Sequence, residues 1–208
     1  MRKIYTLLLL TMMALLAKGQ TTKLVIGGDV YGGGKEGAVG TGYAQTKSTD
    51  PTLVTLKEDS LPANGIPRTI TQITIHSCDS IRTLFGGGEN GRTYGGTSLT
   101  VTGDSKVGFF DLKGTTHGGI FGGGDGKQAL VFGNSEVVIK GGLIAQNVYG
   151  GGNEANLIGH TKVHLLGGDI RARGVFGGAR MADIYGYSYV FIDGQNLRDS
   201  LVVNSIYG

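Results

Sequence analysis

Four acidic residues, Glu36, Glu89, Asp125 and Glu154, each stand just downstream of a run of glycines, with Lys35, Arg92 and Lys127 close by in the chain. Carboxylates gathered at a regular spacing can do three kinds of chemistry. They can bind a cation, accept hydrogen bonds from sugar hydroxyls, or serve as an acid and base pair in glycoside cleavage. The plainer alternative is a solvated loop face whose charges oppose aggregation. Either way, the four matter together only if the fold stacks them into one column.

The elements that must do the stacking are visible as a repeat. An aliphatic residue, then Tyr or Phe, then glycines recurs at Val30-Tyr31-Gly32-Gly33-Gly34, Leu84-Phe85-Gly86-Gly87-Gly88, Ile120-Phe121-Gly122-Gly123-Gly124, Val148-Tyr149-Gly150-Gly151-Gly152 and Val175-Phe176-Gly177-Gly178, and begins again at Ile206-Tyr207-Gly208. From aromatic to aromatic the spacings are 54, 36, 28, 27 and 31 residues, so a unit of about 28 residues with insertions in the first two intervals fits the series. Such a period signals stacked units that bury their apolar faces against their neighbours.

The unit itself is β. Its apolar residues alternate or run in short blocks of Val, Ile, Leu, Tyr and Phe, and glycine, 40 of the 208 residues, punctuates them. Glycine weakens a helix interior by about 1 kcal/mol per position relative to Ala, but it suits corners that need positive φ or close backbone approach. A propeller blade of four strands needs about 40 to 50 residues, which excludes that repeat. The expected fold is therefore all-β, a single parallel β-helix with coils of about 28 residues, two or three short strands per coil and a rise of about 4.8 Å. Tyr31, Phe85, Phe121, Tyr149, Phe176 and Tyr207 then form one ladder, either an aromatic core stack or an exposed stack that could carry a sugar ring.

Residues 1–19 carry a basic start at Arg2 and Lys3, an apolar run from Ile4 to Ala17, and small residues at Ala17 and Gly19, the layout of a cleaved signal peptide. The run is too short for an ordinary membrane-spanning helix, so the protein is expected to be secreted or held at the cell surface, with no transmembrane span. The formal charge of +3 resides in the signal: without Arg2, Lys3 and Lys18, 16 Lys and Arg face 16 Asp and Glu. A neutral exported chain gives no reason to expect a nucleic-acid partner. Cys78 has no second cysteine to pair with and is read as corner packing, aligned with Gly141-Gly142.

Along the mature chain, residues 20–208 form one solenoid domain. Residues 38–68 hold all three prolines, Pro51, Pro62 and Pro67, and read as an excursion with one short strand at Leu53 to Leu56. The repeat resumes at Ile70, passes through Ser98 to Thr102 and Val107 to Leu112, and is cleanest in 130–152 and 157–178. The last coil ends without a capping element, which predicts either a longer protein or end-to-end assembly onto another copy.

Several motifs fail on context. Gly32 to Gly37 and Gly86 to Gly91 match a dinucleotide-binding glycine pattern, but no helix-forming segment follows either, so no cofactor is expected. Gly126-Lys127 lacks the first glycine and the Ser or Thr of a phosphate loop. His160 and His164 are spaced for zinc on a helix, whereas on a strand four residues span about 13 Å; they read as surface histidines, and no metal is expected. Asp125 stands at the wrong offset after Gly122-Gly123-Gly124 for a calcium-binding glycine repeat, and no nucleophile elbow occurs.

The signal-like start followed by V-Y-G-G-G and V-x-I-x-G-G lines resembles the glycine-rich, right-handed parallel β-helix repeat proteins of bacterial surfaces, which share the pectin-lyase-like superfold with adhesins and polysaccharide lyases. The resemblance covers residues 24–208 apart from 38–68. It implies a right-handed helix and an adhesin-like, non-catalytic surface protein that binds an extracellular glycan or a host or neighbour-cell protein, or acts as a spacer. Lyases of that superfold use calcium-binding Asp groups and an Arg base; Arg171, Arg173 and Arg180 have no Asp cluster beside them in the sequence. A polysaccharide lyase or glycoside hydrolase is the alternative, with Glu36, Glu89, Asp125 and Glu154 as its candidate ligand-binding residues and no assigned catalytic residue.

Overall fold

A computed structural model of the chain describes residues 24–40, 69–110, 116–193 and 200–208. These residues are all-β, with no helix among them. Eleven strands join in one sheet whose pairings are parallel throughout, an arrangement compatible with a β-helix-like solenoid.

Three faces recur in each turn. On the first, β2 (Thr69–His76), β4 (Gly95–Thr102), the start of β10 (Ser135–Ile144), the start of β13 (Thr161–Phe176) and β14 (Ser188–Ile192) lie side by side. On the second, β1 (Val25–Tyr31), β3 (Ser80–Phe85), β8 (Gly119–Phe121), β11 (Val148–Tyr149), the end of β13 and β15 (Leu201–Tyr207) do the same, joined at one level by β5 (Lys106–Val107). The third face is short: β9 (Val131–Phe132) pairs with β12 (Leu157–Ile158), and single bridges add Val39, Thr93 and Ile184.

In-register stacking makes the core a set of aliphatic rows. Ile73, Leu99, Val137, Val163 and Val190 follow one another on the first face, and Val30, Leu84, Ile120, Val148, Val175 and Ile206 on the second. The inner members of these rows are buried and meet in one cluster. A fully buried aliphatic side chain contributes about 1.5–3 kcal/mol, against about 0–1 kcal/mol for an exposed ion pair, so these rows rather than surface charges hold the turns together.

The two kinds of glycine corner differ in cause. Between the first and second faces, Gly142 (φ +93°) and Gly168 (φ +107°) adopt a left-handed backbone. After the aromatic the reason is contact. A Cβ on Gly122 would strike Ser135 Oγ and the Gly150 carbonyl, and one on Gly123 would lie 2.6 Å from the Gly152 nitrogen, because successive corners nest backbone against backbone. Cys78 is fully buried at the first kind of corner, where its carbonyl accepts the Lys106 N–H at 2.8 Å.

Two expectations about insertions change. Val39 bridges Thr93, which keeps the repeat going into residues 38–40; the remainder of that excursion, with the expected strand at Leu53 to Leu56, lies outside the described residues. The expected run from Val107 does not continue the coil at Phe109 and Phe110, and its end at Leu112 lies outside the described residues. Val107 stands beside Ile81 and Gly119 beside Thr83, so the described residues 109–110 and 116–118 lie off the ladder, between partners that flank the single residue Arg82. They carry β6 (Phe109–Phe110), paired antiparallel with β7 (Thr116–His117). Two adjacent phenylalanines read as ladder in the sequence because an apolar pair carries no period.

Candidate functional site

The four acids do not share one column. The backbone N–H groups of Glu89, Asp125, Asn153 and Arg180 donate in turn to the carbonyls of Gly34, Gly88, Gly124 and Gly152, which sets Lys35, Glu89, Asp125, Asn153 and Arg180 above one another. Asn90 N–H donates to Lys35 and Met181 N–H to Asn153, so Glu36 lies beside Asn90 and Glu154 beside Met181 in the neighbouring column. The physical reason is phase. Glu89 and Asp125 come one residue after the third glycine, Glu36 and Glu154 two.

The shared column satisfies itself. Lys35 Nζ lies 3.5 Å from Glu89 Oε2, Asn153 donates to Asp125 Oδ1 at 2.8 Å, and Arg180 donates to Asn153 Oδ1 at 3.0 Å. The Tyr31 hydroxyl donates to the other Asp125 oxygen at 3.5 Å. Burial, reinforced by the charges of Asp29, Asp125 and Glu89, pushes the Tyr31 hydroxyl up to about 12. Among the described residues no three His, Cys, Asp or Glu side chains come together as a metal would require.

The aromatic ladder forms as expected. Ring centroids from Tyr31 to Tyr207 follow at 4.9, 4.9, 5.0, 4.9 and 4.7 Å, with neighbouring planes within 15° of parallel. Phe85, Phe121 and Tyr149 are buried in a cluster of their own, beside the aliphatic core. These three therefore offer no ring face to a sugar.

Sequence reasoning missed three features. The first is a seam of buried hydroxyls. Thr71, Thr97, Ser135 and Thr161 donate to the carbonyls of Gly86, Gly122, Gly150 and Gly177 at 2.6, 2.6, 2.8 and 2.6 Å, closing each turn across its interior. A hydroxyl two residues before the first inward aliphatic of each strand was the available signal.

The second is an open cleft of about 370 Å³ over the corner between the first two faces, lined by Asp104, Lys106, Leu143, Asp169, Ser200 and Val202 with two corner glycines. Its lysine is turned toward Asp79 at 3.7 Å. The third is a row of rings on β14 and just before it. Tyr187, Tyr189 and Phe191 point outward and are 67%, 43% and 48% exposed, while Val190 between them joins the core. The preceding turn sets His160, Lys162 and His164 against these rings, and His160 Nδ1 accepts the Tyr187 N–H at 2.9 Å.

Set against family models, curated proteins and solved structures, the chain finds no match in any of the three. What its surface can do follows from geometry and chemistry alone. In the corner column Glu89 faces Lys35, and both Asp125 oxygens accept hydrogen bonds.

Proposed function

We propose that this protein is an exported, non-catalytic surface element, a single right-handed parallel β-helix whose outer faces bind an extracellular glycan or a protein of a host or neighbouring cell, or which acts as a structural spacer. Its localisation is secreted or cell-surface, directed by the signal-like residues 1–19. The observation that carries this reading is the pairing within the corner column, where Glu89 faces Lys35 and Asp125 accepts from Asn153 and Tyr31, together with the parallel stacking that leaves long faces for contact.

The test uses protein beginning at Gln20, incubated with a glycan array and, separately, with uronic-acid polymers and neutral glycans in a product-release assay. The expected result is retention without release of shorter sugars, unchanged in Glu89→Ala and Asp125→Ala. Product release that disappears in either variant would replace this reading with a lyase or hydrolase.

A further inference from the structure

We infer that Asn90 is a site of spontaneous deamidation, and that the folded corner steers the reaction toward aspartate rather than isoaspartate. An asparagine side chain cyclises when the next backbone nitrogen attacks its Cγ, and glycine in that next position leaves the approach open. Asn90 precedes Gly91, whereas Asn134, Asn147, Asn153, Asn156 and Asn204 precede larger residues; Asn64-Gly65 lies outside the described residues.

Hydrogen bonding separates Asn90 from its counterparts a second time. Oδ1 of Asn134, Asn147 and Asn156 accepts the backbone N–H of His160, Gly174 and Asp183 in the following turn, and Oδ1 of Asn153 accepts from Arg180. Asn90 is exposed, and among the described residues nothing hydrogen-bonds its side chain or the Gly91 N–H. Its Oδ1 lies over Gly126 of the next turn, which has no side chain to hold the amide still. Nucleophile and electrophile are both unengaged, and a rotation of the Asn90 side chain brings them together.

Water is the only other reactant. The Gly91 nitrogen gives its proton to solvent and bonds to Asn90 Cγ; the bond from Cγ to the side-chain nitrogen breaks, and ammonia leaves a cyclic imide. Water then opens the imide. Opening at Cγ restores the backbone and leaves aspartate, while opening at the backbone carbonyl routes the chain through Cγ as isoaspartate, one carbon longer. The corner has no room for that carbon. A Cβ on Gly91 would strike the Gly37 carbonyl oxygen and lie 2.8 Å from that of Gly34, and the Lys35 carbonyl holds the Asn90 N–H at 2.6 Å. Aspartate keeps these contacts and adds a carboxylate beside Glu36 and Glu89.

The test ages the protein beginning at Gln20 at mildly alkaline pH and digests it with trypsin in heavy-oxygen water, which labels any conversion made during digestion. Cleavage after Arg82 and Arg92 releases residues 83–92, in which Asn90 is the only asparagine. A synthetic peptide of residues 83–92, aged alongside, gives the rate and product ratio of the free segment. In the protein, Asn90 should convert within about tenfold of the peptide's rate and at least about tenfold faster than Asn134, Asn147, Asn153 and Asn156. Aspartate should exceed isoaspartate there, with the reverse in the peptide, and Asn90→Asp should melt at the parent's temperature. Slower conversion than this, or equal conversion at the other asparagines, overturns the site. Isoaspartate equal to or above aspartate in the protein, or a lowered melting temperature in Asn90→Asp, overturns the steering.

Discussion

The glycine corner and the outer row of β14 are built on opposite terms. At the corner, side chains are absent so that backbones can nest, and Glu89 and Asp125, which follow, are tied to Lys35 and Asn153 in the neighbouring turns. On β14 the backbone is ordinary strand, and large rings project outward against His160, Lys162 and His164 of the preceding turn. Polar side chains are thus matched to one another in one region, while apolar rings stand exposed in the other.

Substitutions can break this contrast, and the largest effect belongs to the corner. Gly122→Val places a side chain against Ser135 and the Gly150 carbonyl, and it should cost about 3 kcal/mol or more, read as a lower urea midpoint or as failure to fold. Next comes Thr97→Val, which leaves the Gly122 carbonyl without its buried donor; a loss of about 1–3 kcal/mol is expected, largely restored in Thr97→Ser.

A smaller effect should come from Arg82, which donates to both oxygens of Asp29, from Nε at 2.7 Å, and holds that carboxyl below its usual range. Because the folded value lies below the unfolded one, the stabilisation is present above about pH 4 and is lost as pH falls through the folded value. Arg82 is half exposed, so Arg82→Ala should cost less than about 1 kcal/mol near neutral pH, and the difference from the parent should shrink in acid. At the bottom of the series, Tyr187→Ala should move the urea midpoint by no more than about 0.5 kcal/mol, as befits a ring outside the core.

Much of the scaffold was legible because its signal is repeated. The alignment of 130–152 with 157–178 corresponds residue for residue to the pairing of Ser135 to Ile139 with Thr161 to Leu165, and the six aromatics stack in the order their spacing implies. The site was harder to read. A shift of one residue separates Glu36 and Glu154 from Glu89 and Asp125, and a period of about 28 cannot resolve such a shift while corner lengths vary. The β14 row was hidden for a related reason. In Ser188 to Ile192 every residue but the first is large and apolar or aromatic, so alternation does not distinguish inside from outside; that choice is set by the register of Val190 with Val163.

The excursion between Val107 and Gly119 has a consequence for what this scaffold can carry. The chain stands beside Ile81 at Val107 and beside Thr83 at Gly119, so a guest with an antiparallel pair of its own is accommodated opposite one surface position while the rungs on either side keep their alignment. Outward positions in mid-strand are therefore splice points, and new loops can be mounted there, turn by turn, on a frame that does not have to be redesigned to hold them.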